Sequence, residues 1–173
     1  MVVGVRAVMP IMERMVSIAR RYNHPLAVVV AEVDQLRAIA TNHDDATAER
    51  LAALLGRRLG RAFRNEDVVA HVSPGRFLVT AFGMKADDGV QRMAELLEGF
   101  REQTVEGPDR TPVRASFSAG IAQLRADGAD TPALVRAADA ALASAQRLGG
   151  DRVEASSRPE AAADESAQKT ATL

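Results

Sequence analysis

The sequence lacks cysteine and tryptophan, and it contains only one tyrosine and five phenylalanines among its 173 residues. Without cysteine the chain can form no disulfide, no thiolate metal site and no cysteine nucleophile. Its 22 basic and 23 acidic residues give a net charge of −1, and without a basic excess we expect neither a nucleic-acid partner nor a membrane partner. No apolar run reaches the roughly 18 residues of a membrane span, and no secretory signal pattern opens the chain. We therefore expect a cytoplasmic protein.

Aliphatic residues are what the sequence has in quantity. Hydrophobic residues make up 47% of the chain, so a core built from Ala, Val, Leu and Ile is feasible. The length fits one domain, and apolar periodicity extends over residues 1–154. From 155 to 173 the composition shifts to Ala, Ser, Glu, Lys and Thr without any apolar period. Such a segment buries too little surface to offset its ordering entropy, so we predict a disordered C-terminal tail over 155–173.

Helical and strand patterns alternate through the predicted domain. Helical spacing predicts helices over 8–22, 45–63 and 87–104, and from 131 to the Gly149-Gly150 pair. Short apolar, β-branched runs predict strands over 26–33, 68–72, 77–82, 113–122 and 152–154. The order contains a βαββαβ core, which is the split ferredoxin-like topology. We therefore expect an α/β (α+β) fold with a central, mostly antiparallel sheet flanked by helices.

Turn and capping residues mark several boundaries. Ser73-Pro74-Gly75-Arg76 joins two short strands, and Pro followed by Gly at the central positions is typical of a type II turn. Asp44 or Asp45 can cap the second helix. Thr131 followed by Pro132 predicts that Thr131 is the N-cap of the last helix and Pro132 its first helical residue.

Several of these segments match one family in order and at the family's spacing. They are residues 28–34, 67–71, 116–121 and 134–142, with Arg152-Val153 closing the domain. This pattern resembles the GGDEF (diguanylate cyclase) domain. The resemblance implies an enzyme that condenses two GTP molecules into cyclic di-GMP, with one half-site on each protomer of a homodimer. It also implies carboxylates that hold Mg²⁺ beside the triphosphate.

The residues at the family's catalytic positions depart from its motif. Glu32 falls at the first metal carboxylate, and Asp34 keeps the second acid of that strand end. Gly75 falls at the second metal carboxylate, and Arg76 falls at the acid that follows it. The two glycines before them are replaced by Ser73 and by a proline, which has no N–H to donate. We regard Glu32, Asp34, Gly75 and Arg76 as vestigial, and we predict that the domain is a pseudo-enzyme without a metal cofactor.

The base-binding and phosphate-binding positions are also changed. By the resemblance, the guanine-contacting Asn falls at Ala40 and the guanine-contacting Asp falls at Glu49, a partial match. The phosphate-binding Lys falls at Gln146, and the Arg just beyond it falls at Gly150. Because Glu49 matches the guanine-contacting Asp only in part, we regard it as a vestigial guanine contact. Losing several preorganised electrostatic contacts lowers a catalytic rate by orders of magnitude.

One ligand site of the family could survive. Arg64-Asn65-Glu66-Asp67 matches the Arg-x-x-Asp that family members carry five residues before the motif, where product cyclic di-GMP binds. Arg64 offers a planar fork and Asp67 an acceptor for guanine N–H groups. The alternative is that Arg64 is a solvated helix end and that Asp67 starts a strand. The family's second arginine falls near Leu96, which is apolar.

Three functions remain open from the sequence. The first is a regulatory domain that binds cyclic di-GMP or a signalling protein. The second is an active cyclase with unorthodox residues, which alone would need Mg²⁺, and the third is an interaction adaptor that uses no nucleotide. A homodimer is possible in each case. The histidines do not cluster in the sequence, so we predict no histidine metal site; they are His24, His43 and His71.

Overall fold

Eight strands and five α-helices alternate along residues 2–156, which are the residues that the computed structural model describes. In chain order they are β1 (Val2–Gly4), α1 (Val5–Arg21), β2 (Leu26–Val33), α2 (Leu36–Asn42), α3 (Asp45–Ala62), β3 (Val68–Ser73), β4 (Arg76–Phe82), α4 (Ala86–Glu102), β5 (Val105–Glu106), β6 (Pro112–Val113), β7 (Phe117–Gln123), α5 (Thr131–Arg147) and β8 (Val153–Ala155). A short 3-10 turn, Pro108–Arg110, connects β5 to β6.

The main sheet has six strands in the order β1-β3-β4-β2-β7-β8. Strands β3, β4, β2 and β7 pair antiparallel with their neighbours, and β1 and β8 add parallel strands at the two edges. The elements β2, α3, β3, β4, α4 and β7 form the expected βαββαβ core, so the ferredoxin-like prediction is confirmed. Strand β2 lies between two antiparallel neighbours, and all its residues except Glu32 are buried.

Helices cover both faces of the sheet. Val29 and Ala31 of β2 face a core shared with α3 and α4, whereas Val28 and Val30 face a second core shared with α1 and α5. A strand that is covered on both faces needs apolar residues at successive positions. This packing explains why β2 is a continuous apolar run and not an alternating pattern.

Two sequence-based boundaries were wrong. The strand predicted over 113–122 begins only at Phe117, because Val113 belongs to the separate β5–β6 ribbon. The N-cap of α5 is Asp130, not Thr131, because the Asp130 carboxylate accepts a 2.9 Å hydrogen bond from the Ala133 N–H. Thr131 is instead buried as the first helical residue. At α3, the predicted cap Asp44 is confirmed, since its carboxylate accepts from the Thr47 N–H.

Four short elements were not predicted. They are β1, α2, β5 and β6. Helix α2 contains no fully buried residue, so it carries no apolar stripe for a periodicity argument to detect. At the C-terminal end, Ala155 completes β8 and the Ser156 N–H donates to the Ile121 carbonyl at 2.7 Å. The prediction that the tail starts at residue 155 was therefore wrong for Ala155 and Ser156, and residues 157–173 lie outside the described part of the chain.

Candidate functional site

The end of β2 and the β3–β4 turn meet at one end of the two central strands of the sheet. In the antiparallel register of β2 and β4, Glu32 lies directly opposite Arg76. Opposite charges at such a cross-strand pair attract each other, and here Arg76 Nη1 donates to Glu32 Oε2 at 3.0 Å. Arg76 Nη2 donates in turn to Asp139 Oδ1 of α5. Arg76 thus bridges two carboxylates.

Glu32 has a further partner on α5. Its second oxygen, Oε1, accepts a 2.9 Å hydrogen bond from Gln146 Nε2. We call Glu32, Arg76, Asp139 and Gln146 the Arg76 cluster. The side chains of Arg76 and Glu32 are only 29% and 30% exposed, so water screens this ion pair less than it screens a pair on the open surface. Both oxygens of Glu32 are engaged within the protein.

Asp34 is held by three donors. Its Oδ1 accepts from Ser118 Oγ at 2.7 Å, and its Oδ2 accepts from Ser116 Oγ at 2.6 Å and from the Asp151 N–H at 2.9 Å. These bonds join the chain after β2 to the start of β7 and to the segment that enters β8. Asp34 therefore has a structural role, which the sequence-based reading did not predict. Two serines separated by one residue could have signalled a pair of hydroxyls on one face of a strand.

The turn itself has the conformation that the sequence predicts. Gly75 has φ = +71°, as the second central residue of a type II turn requires. The Gly75 carbonyl accepts from the Val33 N–H at 3.0 Å. A Cβ at Gly75 would lie 2.6 Å from Cδ2 of Leu36, so the turn packs closely against α2.

A groove of about 1160 Å³ opens beside this turn, between α2, α3 and β3. Glu32, Gly75, Ala40 and Glu49 all line it, so the structure brings these sequence-predicted positions together. Asp34 and Arg76 do not line it. Most of the lining surface of the groove is apolar. The lining includes Phe77 of β4 and five residues that the sequence did not single out: Leu36, Ala48, Ala52, Ala53 and Gly56.

Arg64 and Asp67 line a second, smaller pocket of about 340 Å³ at the opposite end of the β3–β4 hairpin. Asp67 Oδ2 accepts from the Arg64 N–H at 2.9 Å, and its Oδ1 accepts from the Phe82 N–H at 3.1 Å. Asp67 thus stabilises the turn that leads into β3. The Arg64 side chain is 67% exposed and has a loose ion pair with Glu66, 3.9 Å away.

This pocket includes an arginine that the sequence-based reading missed. Arg92 of α4 lines it, and its guanidinium lies 5.5 Å from the centroid of the Phe63 ring. Leu96, where the family's second arginine was expected, is buried. Arg92 precedes it by one helical turn, so a search at i−4 on the same helix face would have found it. Asp88 and Glu95 also line the pocket and offset part of its positive charge.

Comparison with known proteins identifies the family. The family model described as "Diguanylate cyclase, GGDEF domain" matches residues 6–152. The chain belongs to the GGDEF family. A curated relative, the probable diguanylate cyclase DgcC of Escherichia coli K12, is 24% identical over 135 residues. That match covers 78% of this chain and 36% of DgcC, so the chain spans about a third of that relative's length.

Solved GGDEF structures share the fold. The GGDEF domain of PA1120 (YfiN or TpbB) from Pseudomonas aeruginosa superposes with a TM-score of 0.85 at 18% identity, covering 91% of this chain and 98% of that one. The GGDEF domain of DgcB from Caulobacter crescentus, solved in complex with c-di-GMP, also gives 0.85, at 16% identity and with 91% and 90% coverage. Within residues 2–156, no helix of this GGDEF domain is long and apolar enough to cross a membrane.

The residues of this GGDEF domain do not fit the divalent cation that the family implies. Magnesium prefers carboxylate oxygens, but Glu32 and Asp34 have committed theirs to Arg76, Gln146, two serines and an N–H group. By the resemblance, the family's second metal carboxylate falls at Gly75, which has no side-chain oxygen. Among the described residues, no three acidic or histidine side chains are grouped so that they could hold a metal ion.

Proposed function

We propose that this GGDEF domain does not synthesise cyclic di-GMP and acts as a regulatory module that binds a ligand or a partner in cyclic di-GMP signalling. The observation that carries this proposal is the bond between the Arg76 guanidinium and Glu32. The Glu32 carboxylate, which falls at the family's metal-binding position, is already paired with the positive charge of Arg76.

Electrostatics explains why this arrangement opposes catalysis. A divalent ion that approached Glu32 would meet the fixed positive charge of Arg76 and would have to displace a partly buried ion pair. Gly75 supplies no replacement ligand. Removal of one preorganised electrostatic contact lowers a rate by about 10²–10³, and more than one such contact is missing here.

A direct assay tests the loss of catalysis. Purified protein is incubated with GTP and either Mg²⁺ or Mn²⁺, and cyclic di-GMP is measured by mass spectrometry. We expect no product above a no-protein blank, and we expect none from Arg76→Ala, because Gly75 still lacks a carboxylate. Turnover by the native chain that Glu32→Ala abolishes would establish the active alternative.

Cyclic di-GMP binding at the smaller pocket is the ligand version of this proposal. The observation that favours it is the presence of two guanidinium groups, Arg64 and Arg92, around one pocket. Guanidinium groups bind phosphate oxygens and guanine edges through paired N–H donors. Asp67 retains lone pairs on both oxygens besides those used by its two N–H donors.

Calorimetric titration with cyclic di-GMP tests this version. We expect Arg64→Ala and Arg92→Ala each to weaken binding about tenfold, as the loss of one charge-assisted contact does. Arg61→Ala is the matched control, because Arg61 is an exposed arginine on α3 that does not line the pocket. If the native protein gives no binding heat, cyclic di-GMP is not its ligand, and the proposal is reduced to a module that binds a partner protein.

A further inference from the structure

Helix α1 has a second apolar surface beside the one that it buries. Its buried residues, which pack against the sheet, are Val8, Met12, Val16 and Ala19. Beside them lies a row that we call the α1 seam, which consists of Ile11, Met15, Ile18 and Tyr22. The successive spacings of 4, 3 and 4 residues are those of a helix–helix packing seam. Ile11, Ile18 and Tyr22 are 38%, 40% and 60% exposed.

The seam faces away from the neighbouring helix. On one flank of α1, a depression opens towards the start of α5, and its lining includes Glu13, Ser17, Arg20 and Arg21. At 100° per residue, the seam lies on the opposite flank of the buried face. Met15 anchors it, because its side chain packs partly against the second core. Three of the exposed large apolar side chains in the described part of the chain, Ile11, Ile18 and Tyr22, thus lie on one narrow strip along α1.

Charge along this strip is positive. Arg14 and Arg21 lie seven residues apart on the solvent side of the seam, at the positions that flank a helix–helix interface. Arg21 lies between the seam and the depression beside α5, and it also lines that depression. The Arg21 guanidinium lies 5.5 Å from the centroid of the Tyr22 ring. Within residues 2–156, neither arginine is within 4 Å of a carboxylate. Helix α1 as a whole carries four arginines and one glutamate.

We propose that the α1 seam binds an α-helix of a partner protein whose own apolar residues follow 4-3 spacing and whose flanking positions are Asp or Glu. The apolar strip supplies the contact area, and Arg14 and Arg21 select acidic partners. A second copy of this chain fits poorly, because pairing two seams would bring arginine edges together. A membrane surface needs a wide apolar face, whereas this strip is narrow. The inference deepens the partner-binding part of the proposed function and rests on it.

The test uses two synthetic peptides of about 20 residues, each a helix with leucines at 4-3 spacing. One peptide has glutamates at the flanking positions and the other has lysines. Fluorescence anisotropy is expected to show binding of the glutamate peptide only, and that binding weakens as salt rises. Ile18→Ser should weaken it at least about fivefold through lost apolar contact. Leu148→Ser is the matched control, since Leu148 is 56% exposed beyond α5 and away from the seam.

Charge exchange gives the sharpest result. The double variant Arg14→Glu with Arg21→Glu should lose the glutamate peptide and bind the lysine peptide instead. The proposal is wrong if the native protein binds both peptides equally or neither of them. The proposal is also wrong if the native protein binds phosphatidylglycerol vesicles but no peptide. The same holds if the native protein is a dimer in sedimentation and Ile18→Ser converts it to a monomer. GTP turnover and cyclic di-GMP binding are measured on the same variants, so a failure of the seam is separable from a failure of the proposed function.

Discussion

The two ends of the β3–β4 hairpin differ in what their charged side chains contact. At the turn, Arg76 lies between Glu32 and Asp139, so these charges are paired within the protein. At the open end, about 20 Å away by strand length, Arg64 extends into water with one loose ion pair. The charged side chains at the turn are therefore paired with each other, whereas the Arg64 side chain at the open end is largely exposed to water, although the same two strands connect both ends.

This difference supports the proposal that side-chain contacts within the protein close the site at the turn, in addition to the missing carboxylate at Gly75. Gly75 removes a carboxylate, but Arg76 also occupies the acid that remains, Glu32. Asp34 shows the same outcome with neutral partners, since two hydroxyl groups and an N–H satisfy it. A ligand that needs these oxygens must first break protein contacts, whereas a ligand at Arg64 needs to displace little more than water.

Charge reversal at the turn is the change with the largest expected effect. Arg76→Glu removes both ion pairs and places a third carboxylate beside Glu32 and Asp139. We expect the free energy of unfolding to fall by about 2 kcal/mol, as measured by urea denaturation. Three neighbouring carboxylates can share a divalent cation, so Mg²⁺ or Mn²⁺ should raise the Tm of this variant and leave the native Tm unchanged.

A neutral variant separates the two parts of that effect. Arg76→Gln should lower stability by about 1 kcal/mol and should show no response to Mg²⁺. If Mg²⁺ raises the Tm of the native protein as much as it raises the Tm of Arg76→Glu, then the Arg76–Glu32 ion pair does not prevent cation binding at Glu32. The two ends of the hairpin would then not differ in the way described above.

The sequence predicted the scaffold well because the scaffold depends on local patterns. The run in β2, the hairpin turn at Pro74-Gly75 and the cap at Asp44 each need only a few neighbouring residues. The short elements α2 and β1 were not predicted because they contain no fully buried residue, so their sequences show no apolar periodicity. The disorder predicted for the tail remains a prediction for residues 157–173.

The contacts of the site could not be predicted in the same way. Arg76 and Asp139 are 63 residues apart, and Asp34 and Ser118 are 84 apart, so their proximity depends on packing between elements. The sequence singled out Glu32, Gly75 and Arg76, but the pairing of Glu32 with Arg76 depends on the register of β2 with β4. The position of Arg92 at the smaller pocket depends on how α4 is rotated about its axis where it packs on the sheet. Sequence periodicity identifies the residues of a helix face, but it locates the residue nearest the pocket only to within one helical turn.

Two glycines measure how closely each end of the hairpin is packed. Gly75 and Gly83 have nearly equal φ values, +71° and +74°, but a Cβ at Gly75 meets Leu36 whereas a Cβ at Gly83 meets nothing within 4 Å. Gly83→Ala should lower stability by about 1 kcal/mol for backbone strain alone. Gly75→Ala should lower it by about 1.5 kcal/mol, because Leu36 must also move. Equal losses in urea denaturation would show that the turn end is no more crowded than the open end.

The smallest effect concerns Asp44, which caps the helix that runs from the groove towards Arg64. The Thr47 hydroxyl, and then the Thr47 N–H, donate to its carboxylate and hold the pKa of Asp44 below its usual value of 3.8. A lowered pKa in the folded state means that this contribution to stability is complete above pH of about 4 and is lost as the pH falls through the folded pKa.

Asp44→Ala should therefore reduce Tm by a few degrees at neutral pH and by less in strong acid. Hydrogen exchange locates the change along the helix. The amides of Thr47 and Ala48, in the first turn of α3, should exchange faster in the variant, whereas the Phe63 amide, bonded to the Leu59 carbonyl at the other end, should be unaffected. Faster exchange at Phe63 would instead show that α3 opens as one unit, so that the groove end and the Arg64 end cannot respond independently.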